Sequence, residues 1–210
     1  AFPTELSAEL KSRNLSLYVT VQPVTEGSHF DGYDYRAIGR LADKIILMAH
    51  DYSPVSLEGF VGTQWQKNAA LTPIANVYYA LRAITDPLSG VEDRSRVVLA
   101  ISFSSAGWQI TEDDRVASPT AIHPATATIQ ERMSQSDTVF GWSEVYRNPY
   151  MTYSVETGEK YFLWYEDARS VGEKLQLARL FGINGASLWR IGTIPDYAGG
   201  YDVWTYIRSP

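Results

Sequence analysis

The stretch at residues 160–192, KYFLWYEDARSVGEKLQLARLFGINGASLWRIG, predicts a strand, a helix and a second strand. Aromatic residues at 161–165 favour a strand, and Asp167 is a suitable N-cap for the following helix. Apolar residues then recur near the helical period, and Gly182 stands where a left-handed C-cap is expected. The apolar run 183–191 predicts a buried strand. We therefore expect a right-handed β-α-β crossover in a parallel sheet.

Trp189 lies near the end of the second of these strands and is followed by the polar Arg190. Ligands of parallel α/β sheets bind at the carboxyl ends of the strands, so this position favours a pocket floor. Burial in the core is the alternative for a tryptophan. We expect Trp189 to keep a face open to a ligand.

The composition indicates a globular protein. The chain has 210 residues, of which 45% are hydrophobic and 20% charged, and this suits one domain spanning residues 1–210. With 6 Trp and 14 Tyr, the aromatic residues form either a large core or a cleft that stacks on sugar rings.

The same composition excludes several classes of protein. A net charge of −6 makes a nucleic-acid partner unexpected, and no apolar run approaches the about 20 residues of a membrane helix. Cysteine is absent, which excludes a disulfide scaffold or a thiolate metal site. The three histidines have no metal-ligand spacing, so we expect neither a metal nor another cofactor.

Strand and helix patterns alternate along the rest of the chain. Further strands are predicted at residues 15–21, 44–50 and 96–103. Helices are predicted at residues 4–11, 35–41, 69–84 and 123–134, with a final helix or turn at 201–207. Residues 148–155 and 160–165 form a predicted hairpin around 156–159. Four parallel strands with intervening helices suit half of an eight-stranded barrel or a small open sheet.

Four landmarks, in this order, resemble glycoside hydrolase family 18, especially its spore-cortex-lytic and peptidoglycan-hydrolase branch. They are LSLYVTVQP at 15–23, YDYRAIGRLADKIILMAHDY at 33–52, RVVLAISFSSAGW at 96–108 and WYEDARSVGEKLQLARLFGINGASLWRIG at 164–192. The resemblance implies an α/β fold, the C-terminal half (strands five to eight) of a TIM (β/α)8 barrel. Residues 104–159 would be a hairpin-containing insertion after the third strand of this chain.

The resemblance also implies a function and a location. The intact protein would hydrolyse β-linked N-acetylhexosamine polymers, chitin-like or peptidoglycan, by the substrate-assisted retaining mechanism. A non-catalytic carbohydrate-binding domain on the same scaffold is the alternative. An extracellular, cell-wall or spore-associated location is implied.

The family's acidic motif, Asp-Gly-x-Asp-x-Asp-x-Glu, would lie on strand four and carry the general acid. The segment 31–38, DGYDYRAI, is the nearest match, but Arg36 replaces the third Asp and Ile38 replaces the Glu. It also opens a predicted helix and does not end a buried strand. We therefore predict a loop with a helix cap there, and no glycosidase activity for the chain alone.

His50 aligns with the family's tyrosine, which is implied to hydrogen-bond the acetamido oxygen of the substrate. The neighbouring Asp51 would orient the same acetamido group, although a structural histidine and a turn cap are the alternatives. Both would have supporting catalytic roles. The residues expected to contact substrate are Gln22, Met48, Phe103, Trp108, Trp164, Trp189 and Arg190.

The predicted sheet has two apolar edges, at 15–21 and 186–191. Four strands are too few to close a barrel, and an open apolar edge recruits another chain. We therefore expect either a homodimer through the sheet edges or completion by the missing N-terminal half. The alternative is an open sheet whose edges are covered by the insertion and the C-terminal tail.

Overall fold

The computed structural model describes residues 2–23, 32–190, 192, 194 and 203–208. In these ranges the α-helices are α1 Phe2–Ser12, α2 Tyr35–Leu41, α3 Ile74–Ile84, α4 Thr126–Met133, α5 Ala168–Leu180 and α6 Val203–Arg208. The strands are β1 Tyr18–Val21, β2 Lys44–Leu47, β3 Val97–Ser102, β4 Ala106–Ile110, β5 Val139–Ser143, β6 Asn148–Ser154, β7 Lys160–Trp164 and β8 Gly185–Trp189. None of the helices in this described part is long and apolar enough to cross a membrane.

The chain divides into two compact units. The first comprises residues 1–49, 75–101 and 174–187, and the second comprises 50–74, 102–173 and 188–210. The expectation of a single domain spanning the whole chain stays a prediction.

Four strands form one sheet in the order β1-β2-β3-β8, as the four-strand pattern predicted. β1, β2 and β3 are parallel, with Tyr18 opposite Lys44 and Ile45 opposite Val97. Ile45 of β2 is fully buried. Both faces of a parallel sheet are usually covered by other elements, which is why its strands are rich in aliphatic residues. β1 is shorter and more exposed than the buried strand expected at 15–21, since it lies at the edge with one strand neighbour.

The second sheet is antiparallel, in the order β4-β7-β6-β5. The predicted hairpin is confirmed, because β6 and β7 pair with Ser154 opposite Lys160 and Gly158 adopts φ 94° in the turn. The expected β-α-β crossover is wrong. β7 is flanked by β4 and β6, so both of its hydrogen-bonding edges are occupied within this sheet. Helix α5 therefore connects strands of two different sheets.

The predicted ends of helix α5 are confirmed. The Asp167 carboxylate accepts a hydrogen bond from the Ser170 N–H at 2.8 Å, and the Ser170 hydroxyl accepts one from the Asp167 N–H at 2.9 Å. This reciprocal pair satisfies two amide groups at the helix start. Gly182 adopts φ 77° just after the helix, the left-handed conformation expected there.

Sequence patterns did not predict strands β4 and β5. β4 contains Gly107, and a Cβ at that position would lie 2.5 Å from the Phe162 carbonyl oxygen of β7. The glycine thus permits a close approach of two backbones, although glycine is otherwise unfavourable within strands. β5 is an edge strand whose Val139 and Phe140 are exposed, so it lacks an alternation of buried and exposed positions.

Candidate functional site

A hydrogen-bonded cluster surrounds the carboxylate of Asp51, just after the end of the predicted strand 44–50. Asp51 Oδ2 accepts a hydrogen bond from the Ser102 hydroxyl at 3.0 Å and lies 3.0 Å from His50 Nδ1. The Ser104 hydroxyl lies 3.4 Å from the same oxygen and 2.8 Å from the Ser102 hydroxyl. One carboxylate oxygen therefore joins a histidine to Ser102, the last residue of β3, and to Ser104 just beyond the strand.

The cluster determines which nitrogen of His50 carries a proton. An ionised carboxylate can only accept hydrogen bonds, so His50 Nδ1 is the protonated nitrogen. Nε2 of the neutral ring is then an acceptor. Asp51 adopts φ 58°, a left-handed conformation that aspartate tolerates better than most residues and that is enriched at functional sites.

A surface pocket of about 330 Å³ adjoins this cluster. Its lining residues are Phe103, Ser104, Ser105, His123, Pro124, Ala125, Thr126, Trp189 and Arg190. Ser104 belongs both to the Asp51 cluster and to the pocket wall. The Phe103 N–H donates to the Trp189 carbonyl at 3.1 Å, which holds the ends of β3 and β8 together, and the Trp189–Arg190 peptide bond is cis.

Trp189 forms one wall of the pocket with 59% of its surface exposed. The side chain is therefore not sealed in the core, and its expected contact with a sugar stays a prediction. Its indole offers a flat apolar face beside polar groups, the combination found in small-molecule sites.

Another part of the pocket lining is built around His123. Its Nδ1 lies 2.7 Å from the Ser105 carbonyl oxygen, which only accepts, so Nδ1 carries a proton. The Ser105 hydroxyl in turn donates to the Pro124 carbonyl at 2.8 Å. Two bonds thus fix the imidazole beside the start of α4. His123 could not be selected from the sequence, because a lone histidine at the start of a predicted helix has no recognisable pattern.

The structure gathers five of the residues selected from the sequence. His50 and Asp51 form the cluster, and Phe103, Trp189 and Arg190 line the pocket.

Trp108 and Trp164 do not line this pocket, contrary to expectation. Trp108 is 0% exposed and Trp164 is 1% exposed, and both pack in one apolar cluster with Phe162. The Trp164 indole N–H donates to the Gln66 carbonyl at 2.8 Å, so its polar atom is satisfied inside the core. β4 and β7 pair through these residues, and their large side chains stabilise that pairing.

Gln22 and Met48 belong to the first unit. The Gln22 carbonyl accepts a hydrogen bond from the Tyr35 hydroxyl at 3.3 Å, and the Met48 N–H donates to the Val21 carbonyl at 3.0 Å. Their expected contact with substrate stays a prediction. Among the described residues, no group of three His, Cys, Asp or Glu side chains is placed to hold a metal ion.

The chain combines parallel strands with an exposed tryptophan at a strand end and a histidine–carboxylate pair. These features define an α/β protein with its candidate site at the carboxyl ends of the strands. Comparison with known proteins gives the family. The sequence model of the glycosyl hydrolases family 18 matches residues 1–193, and the chain belongs to that family.

The relatives of this chain are longer proteins. A cortical fragment-lytic enzyme of Bacillus anthracis is 24% identical over 181 residues, covering 84% of this chain and 39% of the relative. One from Bacillus subtilis (strain 168) is 22% identical over 168 residues, covering 80% and 35%. The chain therefore spans less than two fifths of these curated relatives.

Solved structures share the fold. The spore cortex-lytic enzyme SleL of Bacillus cereus aligns with a TM-score of 0.72 at 21% identity, over 98% of this chain and 43% of that chain. A chitinase from Chromobacterium violaceum aligns with a TM-score of 0.70 at 19% identity, over 98% and 58%. The α/β fold thus matches that of family 18 chitinase-like structures.

Proposed function

We propose that this chain is the C-terminal part, strands five to eight, of a family 18 barrel that hydrolyses a β-linked N-acetylhexosamine polymer. The observation that carries this proposal is the exposed Trp189 at the end of β8, joined through Ser104 to the Asp51 cluster. The names of its relatives, cortical fragment-lytic enzyme and chitinase, support a polymer of the peptidoglycan or chitin type.

The proposed chemistry is substrate-assisted. The acetamido oxygen of the substrate attacks the anomeric carbon, and the configuration there is retained after hydrolysis. Asp51 holds His50 with Nε2 directed to the acetamido group. The neutral ring accepts a hydrogen bond from the acetamido N–H, whereas donation to the acetamido oxygen requires the protonated ring.

The general acid has to come from elsewhere in the polypeptide. The 210 residues contain no Asp-x-Asp-x-Glu sequence, and the nearest match ends in Ile38. In this proposal strand four supplies the glutamate, and this chain supplies the floor and the acetamido-orienting side of the site.

A split-barrel experiment tests the proposal. The chain is produced together with the part of the Bacillus subtilis cortical fragment-lytic enzyme that precedes its matching region. After co-purification, hydrolysis of an N-acetylglucosamine tetramer is followed by proton NMR, which also reports the configuration of the first product. We expect β-configured product from the pair, and none when the motif's glutamate is changed to glutamine.

A non-catalytic carbohydrate-binding domain is the second candidate, and it is favoured by His50 in the tyrosine position. It predicts that the co-purified pair binds the tetramer without cleaving it. That result would reject the enzymatic role and retain the carbohydrate ligand.

The names of the relatives also support a cell-wall, spore or other extracellular location.

A further inference from the structure

The hydrogen of the Ser104 hydroxyl is used inside the protein. Ser102 has a single hydroxyl hydrogen, and it goes to Asp51 Oδ2 at 3.0 Å, because an ionised carboxylate can only accept. The hydroxyls of Ser102 and Ser104 lie 2.8 Å apart, so Ser104 has to be the donor between them. The Ser102 oxygen also accepts the backbone N–H of Ser104, at 3.2 Å. Since Ser104 lines the pocket, its oxygen offers a ligand lone pairs and no hydrogen.

Two further polar side chains of the pocket lining use their hydrogens in the same way. The Ser105 hydroxyl donates to the Pro124 carbonyl at 2.8 Å, and His123 Nδ1 donates to the Ser105 carbonyl at 2.7 Å. Ser105 is 3% exposed, so these bonds are shielded from water. Nε2 of the neutral imidazole is then an acceptor. Ser104 and His123 therefore both present acceptors to a ligand.

We propose that the pocket requires hydroxyl hydrogens from its ligand, with Ser104 as the specificity-determining residue, and so selects N-acetylhexosamine residues with free hydroxyl groups against O-acylated ones. The proposal rests on the function proposed above and narrows its substrate to the unsubstituted polymer. Trp189 contributes an indole N–H to the lining, which is a donor. The requirement therefore concerns the ligand groups that meet Ser104 and His123, and not every polar group of the sugar.

Acylation converts a sugar hydroxyl from a donor into a group that only accepts. Next to Ser104 it would bring two acceptors together. Turning the Ser104 hydroxyl toward the ligand would relieve this contact, but it would break the bond to Ser102, which is 2% exposed and has little access to water. One neutral hydrogen bond contributes a factor of about fivefold in affinity. Because Ser104 itself is half-buried, we expect a discrimination of about this size.

The test removes one ligand hydrogen at a time. The ligands are the methyl glycoside of N-acetylglucosamine and a set of analogues in which each ring hydroxyl in turn is replaced by fluorine, which is similar in size and cannot donate. Chemical-shift titrations of the whole chain are run at about pH 8, where histidine is ordinarily neutral. At least one analogue should bind about fivefold more weakly than the parent glycoside. The acetyl ester at that same position should bind no better than the fluorine analogue.

Variants of the chain locate the discrimination. Ser104→Ala should weaken binding of the parent and leave that of the fluorine analogue unchanged, so the two affinities become about equal. Ser102→Ala should reduce the discrimination without altering the pocket lining, because it frees the hydrogen of Ser104. Ser134→Ala is the control, since Ser134 is exposed and donates to the Gln130 carbonyl outside the pocket.

The ligand series on the unaltered chain decides the inference even if a variant does not fold. Equal affinity for the parent and every analogue would overturn it and leave the proposed function intact, because a sugar would still be bound. Failure to bind the parent glycoside would count against both. A discrimination that survives in folded Ser104→Ala would reject Ser104 as its source.

Discussion

Ser102 and Asp51 are 51 positions apart in sequence, and their side chains form a 3.0 Å hydrogen bond at the ends of neighbouring segments. Ser102 is 2% exposed, so its hydroxyl is withdrawn from water and directed to the carboxylate. The carboxylate in turn holds His50. The orientation of the proposed acetamido-binding histidine thus depends on a buried serine.

Changing Asp51 to asparagine should alter the protonation pattern of His50. The carboxylate requires a proton on Nδ1, whereas an asparagine amide can present either an acceptor or a donor to that nitrogen. We expect Asp51→Asn to increase the share of the tautomer protonated on Nε2. The nitrogen chemical shifts of the imidazole report this directly. Ser104→Ala is the control, because its 3.4 Å contact with Asp51 is too long to determine the tautomer. Unchanged shifts in Asp51→Asn would show that Asp51 does not orient the ring.

Two tryptophans should respond in opposite ways to truncation. Trp189→Ala should change the free energy of unfolding by less than about 1 kcal/mol, because the side chain is 59% exposed. It should weaken binding of an N-acetylglucosamine tetramer about tenfold, as loss of a central aromatic contact does. Trp164→Ala should instead cost about 3–5 kcal/mol of stability, because it empties a buried position. Urea unfolding and titration calorimetry measure both effects. A large loss of stability in Trp189→Ala would contradict the assignment of Trp189 to the pocket.

The isolated chain should not hydrolyse a fluorogenic chitobioside. General acid catalysis contributes about 10²–10⁴-fold, and the chain holds no Asp-x-Asp-x-Glu sequence to provide it. The assay compares the purified chain with its His50→Ala and Asp51→Ala variants. Turnover by the unaltered chain that both variants abolish would refute this prediction.

Asn148 should be one of the most sensitive positions for stability. It is fully buried and its side chain accepts from the Thr72 N–H at 2.9 Å. It also donates to the Tyr165 carbonyl at 3.0 Å and to Glu166 Oε1 at 3.1 Å. Asn148→Ala leaves these buried groups without that partner, at a cost of about 3 kcal/mol.

Urea unfolding measures this cost, with Asn68→Ala as the control. Asn68 is exposed and accepts one bond, from the Tyr146 hydroxyl at 3.3 Å. Its loss should change stability by about 0.5 kcal/mol or less. Equal effects of the two substitutions would mean that burial does not set the importance of Asn148.

Self-association should depend on the edge strand β1. Its Tyr18 is 62% exposed, and the strand has a hydrogen-bonded neighbour in β2 on one side. Light scattering at increasing concentration should detect a dimer, and Tyr18→Lys should weaken it, because charges at an edge oppose strand pairing. Leu88→Lys is the control, since Leu88 is 86% exposed and lies outside the strands. A monomer at all concentrations would reject pairing through β1.

Local patterns were sufficient for much of this fold. Helix α2 was predicted at its observed bounds, and the parallel strands were predicted although each proved shorter. Helix α3 begins at Ile74, five residues later than expected. The preceding Thr72 N–H bonds to the side chain of Asn148 and so does not enter a helix. A partner 76 positions away cannot be read from a local pattern.

The residues of the candidate site also divide into those that local sequence patterns could select and those that they could not. Trp189 could be selected because ligands of parallel sheets bind at the carboxyl ends of the strands, where this residue lies. The sequence does not distinguish the buried Trp108 and Trp164 from the exposed Trp189. Composition and spacing do not reveal which face of a second sheet is covered. Glu166 directly precedes the N-cap residue Asp167, where an exposed carboxylate is usual, yet it is 2% exposed and bonded to Asn148 and Ser170. His123 became apparent only when its contact with Ser105 was known.

The two sheets differ in how many residues separate their paired strands along the chain. β5, β6 and β7 are joined by the short segments 144–147 and 155–159, whereas β2 and β3 are separated by residues 48–96. Hairpins close in about 1–10 μs, while pairing of distant strands is slowed by the entropy of closing long loops. The meander of aromatic strands should therefore take shape early as the chain folds. The parallel strands that carry the proposed catalytic end should pair later in refolding, because longer loops have to close first.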